Sequence, residues 1–136
     1  MPQEILQTHK LLQSCEDALA ARFMVHKLHE AADREALLAE VSDRVRGIAG
    51  GNVDAGLMDR LPNLGVIANF GVGYDTIDTA AARQRNIRVT NTPNVLNDAV
   101  AEITIGLMIA LARHIPQADR FVRDGKWLKG GYPLLV

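Results

Sequence analysis

Hydrophobic and polar positions along this chain switch repeatedly between two periods, and each switch falls on turn-forming residues. Ile5–Thr8 reads as a short first strand. Leu11–Arg22 follows with helical spacing, and Leu12, Ala18 and Leu19 mark its expected inner face. Phe23–Leu28 sets Phe23, Val25 and Lys27 against Met24, His26 and Leu28, the period of two that suits a strand. Asp33–Val41 is a helix with Asp33 near the cap position and Leu37, Leu38 and Val41 turned inward. Arg44–Ala49 is a third strand that runs into Gly50-Gly51-Asn52, and Asp54–Asp59 is a short helix closed by Leu61-Pro62. Leu64–Phe70 is a fourth strand that delivers the turn Gly71-Val72-Gly73. Asp78–Arg85 is a helix expected to pack Thr79 and Ala80–Ala82 close to the sheet, and Ile87–Thr90 is a fifth strand that stops at Asn91-Thr92-Pro93.

Repeated strand–helix alternation predicts an α/β fold, a parallel sheet with helices on both faces. Five strands suit a flavodoxin-like order of 2-1-3-4-5. Ligands of such sheets bind beyond the carboxyl ends of the strands. Both glycine turns, Gly50-Gly51 and Gly71–Gly73, are expected on that edge.

The pattern changes after Pro93. Asp98–His114 reads as one long helix whose run AVAEITIGLMIALA has no continuous polar face. A helix apolar on most sides needs burial on most sides. It is expected to pack against a second domain or a second subunit. Pro116–Gly125 follows as a short amphipathic helix with Ala118, Phe121 and Val122 inward, and Trp127–Pro133 is loop-like, with Trp127 and Tyr132 as packing residues of this arm.

Composition narrows the function classes. The 136 residues, 48% hydrophobic and 23% charged, are ordinary for a globular chain that can bury a core without disulfides or metals. A formal net charge of -1 without a basic cluster gives no reason to expect a nucleic-acid or anionic-membrane partner. The longest apolar run, Ala99–Ala112, is interrupted by Glu102 and Thr104 and falls short of the roughly 20 residues of a membrane span. The single Cys15 cannot form an internal disulfide, and MPQEILQTHK lacks the pattern of a signal peptide, so a cytoplasmic location is expected.

The candidate chemistry lies in the turns. Two glycines in Gly71-Val72-Gly73 allow the backbone to approach a ligand and point its N–H groups outward, which suits a carboxylate or phosphate. The turn is not a dinucleotide fingerprint, because Thr76 sits where a third glycine belongs. Gly50-Gly51 can serve a ligand or simply supply positive φ, and Asn52 can donate to a hydroxyl. Asp75 and Asp78 read as caps of the turn and of the following helix rather than as paired catalytic acids. His26 and His29 fall on opposite faces of a strand and cannot share a metal. His9 and His114 are expected at the surface, Cys15 is expected as a small buried hydrophobe, and no ligand set has metal spacing.

Taken together, Asn69–Asp78 (NFGVGYDTID), Ile87–Pro93 (IRVTNTP), Val95–Arg113 (VLNDAVAEITIGLMIALAR) and Phe121–Trp127 (FVRDGKW) resemble the D-isomer-specific 2-hydroxyacid dehydrogenases, especially their glyoxylate/hydroxypyruvate reductase branch. The resemblance implies a flavodoxin-like substrate domain over residues 1–97 and, over residues 98–136, the helical arm that opens a Rossmann cofactor domain. It implies that the amides of Val72 and Gly73 hold the substrate carboxylate and that Gly50, Gly51 and Asn52 form a second substrate loop. It implies that Val100 touches a nicotinamide ring with Leu96 lining the same cleft, that the cofactor is NAD or NADP, and that the 98–115 helix builds a homodimer. The implied activity is hydride transfer to a small 2-keto acid, giving a D-2-hydroxy acid. The family's catalytic arginine, glutamate and histidine have no motif match here, and its dinucleotide fingerprint would come just after Leu134-Leu135-Val136. The chain is therefore expected to be the front part of such an enzyme, lacking the cofactor domain and inactive alone. The rival expectation is a non-catalytic binding or dimerising module. An FMN or receiver domain is disfavoured, because Gly50-Gly51 occupies the place of a phosphorylatable aspartate.

Overall fold

Five parallel strands, β1 (Glu4–Gln7), β2 (Met24–Lys27), β3 (Val45–Ala49), β4 (Val66–Ala68) and β5 (Arg88–Thr90), stand in the order β2-β1-β3-β4-β5. This is the expected flavodoxin-like order. The computed structural model describes residues 2–133, so Met1 and the closing Leu134-Leu135-Val136 lie outside the described residues. Two units are distinct, one running to Pro93 and one from Asn94 onward.

The crossover helices of the first unit are α1 (Gln13–Ala20), α2 (Arg34–Val41), α3 (Ala55–Asp59) and α4 (Thr79–Gln84). Aspartates start three of them. Asp33 accepts from the Glu35 and Ala36 amides, Asp54 from Leu57, and Asp78 from Ala81, pairing N–H groups that a helix leaves unpartnered. Leu38, Val41, Met58, Leu61, Ile77, Ala81 and Ala82 pack with Leu6, Val45, Ile48 and Ile67 of the strands into one dry core. Burying a side chain of this kind stabilises by about 1.5–3 kcal/mol.

Beside β1 the outcome differs from the expected pattern. Leu12 is 61% exposed, Ala18 is exposed, and the one buried residue of α1 is Glu16. The cause is the opposite sheet face. An open groove there is lined by Ile5, Leu19, Phe23, Gly47, Val66 and Ala68, so the apolar side of α1 looks into a half-covered space. In α4 only Ala81 and Ala82 are buried. Thr79 and Ala80 are exposed, because a six-residue helix presents one narrow face to its sheet. The fourth strand is shorter than Leu64–Phe70: Leu64 donates back to the Leu61 carbonyl, and Asn69, its amide still on Thr90, ends the strand by turning its side chain to the carbonyls of the following turn.

The second unit holds α5 (Asn97–Ala112), α6 (Ile115–Arg123) and a 3-10 turn, Lys126–Lys129. No residue of α5 is buried; Ile103, Ile105, Leu107, Met108 and Ile109 all stand more than half exposed. His114, in the left-handed region at φ 49°, joins α5 to α6, and Pro116 sits in the first turn of α6, where its missing N–H costs nothing. Phe121 packs edge-on against Tyr132, with ring centres 5.3 Å apart. Val122, expected inward, is exposed, because nothing among the described residues covers that side of α6. Trp127 is likewise exposed rather than packed. No single helix among the described residues is long and apolar enough to cross a membrane; α5 and α6 reach that only together, across a 63° bend.

Candidate functional site

The turn after β4 is built from behind. Asn69, 8% exposed, donates from Nδ2 to the Gly73 carbonyl at 2.7 Å and to the Gly71 carbonyl at 3.3 Å. Asn91 Nδ2 donates to the Val72 carbonyl at 2.8 Å, and the Thr92 amide also donates to Gly71 at 3.0 Å. In a planar trans peptide the C=O and the next residue's N–H point in opposite directions. Holding the carbonyls of Gly71, Val72 and Gly73 inward therefore turns the N–H groups of Val72, Gly73 and Tyr74 outward. None of those three amides has an acceptor among the described residues, and all three residues are exposed. Consecutive outward amides form a concave patch of partial positive charge, which suits a carboxylate.

Glycine at 71 and 73 is not demanded by the fold. Neither residue has a positive φ, and an added Cβ would meet nothing closer than 3.6 Å at Gly71 or 3.5 Å at Gly73. Without side chains, Gly71 and Gly73 leave the outer surface of the turn open.

The neighbouring loop, after β3, behaves otherwise. Gly50 has φ 127°, and a Cβ there would collide with Thr8 Oγ1 and lie 2.9 Å from the His9 ring. The Gly50 amide donates to the Ala68 carbonyl, and the Gly51 amide to His9 Nδ1 at 3.3 Å, while Thr8 Oγ1 donates to the Gly51 carbonyl at 2.8 Å. Both glycine amides are thus paired within the fold. Asn52, at φ 57°, keeps an exposed carboxamide with no hydrogen-bond partner among the described residues, the free polar group of this loop. The two loops run side by side: the Asn52 amide donates to Thr76 Oγ1 and the Val53 amide to the Thr76 carbonyl.

His9 had been expected at the surface and is instead half-buried against Gly50. Accepting at Nδ1 places its proton on Nε2. Its position just after β1, at the carboxyl edge, is the signal that could have marked it. Behind it, Gln7 Nε2 donates to the His9 carbonyl and to Glu16, which also accepts from Lys27 Nζ at 2.9 Å and from the Leu11 amide. These partners, Lys27 first, hold the buried Glu16 carboxyl well below its usual range, at about 2. At the other end of β1, His26 and then Arg44 lower the Glu4 carboxyl. Asp75 caps nothing: its carboxylate accepts no hydrogen bond from the described residues. Asp78 caps α4, as expected. Cys15 is half-buried, and among the described residues no three His, Cys, Asp or Glu gather as metal ligands.

In the second unit, Leu96 precedes α5 and Val100 follows one turn later, its amide donating to the Leu96 carbonyl at 2.9 Å. Lying one turn apart on one side of the helix, and 52% and 56% exposed, they form an open apolar patch.

Comparison with known proteins settles the family. The model of the D-isomer specific 2-hydroxyacid dehydrogenase catalytic domain matches residues 5–128. The chain belongs to that family. Among relatives of these 2-hydroxyacid dehydrogenases, glyoxylate/hydroxypyruvate reductase A of Arabidopsis thaliana is 38% identical over 88% of this chain and 39% of its own length. A glyoxylate reductase of Thermofilum pendens is 44% identical over 80% of this chain and 30% of its own. The solved 2-hydroxyacid dehydrogenase from Ketogulonicigenium vulgare superposes with TM-score 0.91 at 45% identity, over 98% of this chain and 44% of that one. The NADPH-dependent glyoxylate/hydroxypyruvate reductase of Sinorhizobium meliloti, solved with NADP and malonate, superposes with TM-score 0.83 at 39% identity over 98% of this chain and 42% of that one. The chain spans between about a third and under half of the length of these relatives.

Proposed function

We propose that this chain is the substrate-binding part of an NAD(P)H-dependent reductase of small 2-keto acids of the glyoxylate/hydroxypyruvate type. The observation that carries this reading is the turned-out row of amides at Val72, Gly73 and Tyr74. A carboxylate there accepts from preset donors, which need no reorganisation as the ligand arrives. Small glycines flank the row and leave room for approach. The Asn52 carboxamide is placed to donate to a hydroxyl at the substrate's far end. Gly50 and Gly51 serve the loop by holding its shape. Leu96 and Val100 are the residues that would touch a nicotinamide ring, which when bound supplies the hydride. The names of the relatives support the substrate class, and the malonate complex of the Sinorhizobium enzyme agrees with a taste for carboxylates.

The reading includes a homodimer through α5, supported by the exposed apolar side chains from Ile103 to Leu111, and a cytoplasmic setting, supported by the single Cys15. The test of the substrate site is an amide-resolved NMR titration of the chain with oxamate, an unreactive mimic of a 2-keto acid. Saturable movement of the Val72, Gly73 and Tyr74 resonances is expected; a response elsewhere with these three still would overturn the assignment.

A further inference from the structure

We propose that Asn69 is the positioning residue of the anion site, setting two of its three donors, the amides of Val72 and Tyr74. The inference rests on the carboxylate reading above and adds how the site is shaped. Asn69 follows β4 directly, and its own amide donates to the Thr90 carbonyl at 2.8 Å, so its backbone is anchored to β5. The carboxamide has two N–H bonds, and the carbonyls of Gly71 and Gly73 take one each. Those carbonyls belong to the peptides whose N–H groups are Val72 and Tyr74. One side chain therefore fixes the two outer amides of the row, and Asn91 fixes the middle one, Gly73.

The neighbouring loop bears on the same side chain. A Cβ on Gly51 would lie 3.0 Å from Asn69 Oδ1 and 3.0 Å from Thr76 Oγ1, closer than side chains normally sit. With Asn69 buried and its backbone tied, it has little room to yield. Gly51 is glycine so that Asn69 can stand where it does. Gly51, whose amide donates to His9, thus lies beside the side chain that turns the amides outward.

Asn69→Asp tests this with volume preserved. An ionised aspartate has no donor and sets negative oxygens against two carbonyls, which drives the turn out of shape. Oxamate affinity, read by the NMR titration, is expected to fall by about tenfold or more near pH 7. A protonated aspartic acid regains one donor, and burial beside two carbonyls raises its pKa above the ordinary value of about 3.9, so the deficit relative to the unsubstituted chain should narrow as pH falls from about 7 to about 4. A residue that merely filled space would give no such pH-dependent recovery. Affinity within about twofold of the unsubstituted chain, or a deficit that ignores pH, overturns the inference while leaving the carboxylate site standing. If the unsubstituted chain itself shows no saturable response at these amides, the carboxylate reading falls and this inference with it. Gly51→Ala gives an independent arm, decisive if Asn69→Asp does not fold. It presses on Asn69 without removing its donors and should weaken oxamate by about threefold or more; unchanged affinity there counts against the proposal.

Discussion

Two glycine-bearing loops leave neighbouring strands at the same sheet edge, yet glycine answers different demands in each. At Gly50 the demand comes from inside: the backbone lies at φ 127°, and Thr8 and His9 occupy the space of a side chain. At Gly71 and Gly73 the backbone is ordinary and the space open, while the carbonyls around them are tied inward by Asn69, Asn91 and Thr92. A glycine that the fold requires and a glycine that it can do without look alike as letters. They differ in where a Cβ would collide.

That contrast can be broken by substitution. The largest effect is expected from Gly50→Ala, where a strained φ and a collision with Thr8 should together cost about 2–4 kcal/mol. Thermal unfolding followed by circular dichroism should show a melting point lower by roughly 10 °C or more. Next comes Gly73→Ala, which should change stability by less than about 0.5 kcal/mol yet weaken oxamate by about tenfold. Loss of stability comparable to that at Gly50, with binding intact, would erase the distinction. Thr8→Val is smaller: it leaves the Gly51 carbonyl without its hydroxyl donor, and urea denaturation should register about 1 kcal/mol.

Glu16→Gln sharpens the comparison through its pH dependence. Glu16 steadies the Gln7–His9 support of the first loop, and its carboxyl sits at about 2 against an ordinary 4.5. A lowered folded value means that the unfolded chain takes up the proton first. Its stabilisation is full above about pH 4.5 and is lost as pH falls toward about 2. Melting points measured across that window should fall less steeply in Glu16→Gln than in the unsubstituted chain, with a residual slope from Glu4. Equal slopes would show that Glu16 is not the group being titrated.

Much of the fold was legible in the chain. Asp33, Asp54 and Asp78 marked helix starts because a carboxylate beside unpaired amides is a local interaction. The strand order followed from five short apolar runs with helical crossovers. The burial of Glu16 was not legible: its partners Gln7 and Lys27 come from other strands, and periodicity weighs a glutamate only as a surface residue. Nor was the exposure of Leu12 or Val122, since an apolar letter does not say whether a neighbouring layer exists to cover it.

The site divides along the same line. Val72 and Gly73 were named from the motif, while Asn69, Tyr74 and His9 went unassigned because their roles are relations between segments. Asn69 acts on carbonyls two and four residues on, in a conformation that only the completed turn defines, and His9 meets Gly51 42 positions away.

Local chemistry in the chain determined where helices begin, which runs become strands, and which turn could offer its amides. Tertiary structure alone decided which way those amides face and which glycines the fold can do without. The reason is that peptide orientation and steric room depend on what other strands place behind each residue, and no stretch of neighbouring letters carries that information.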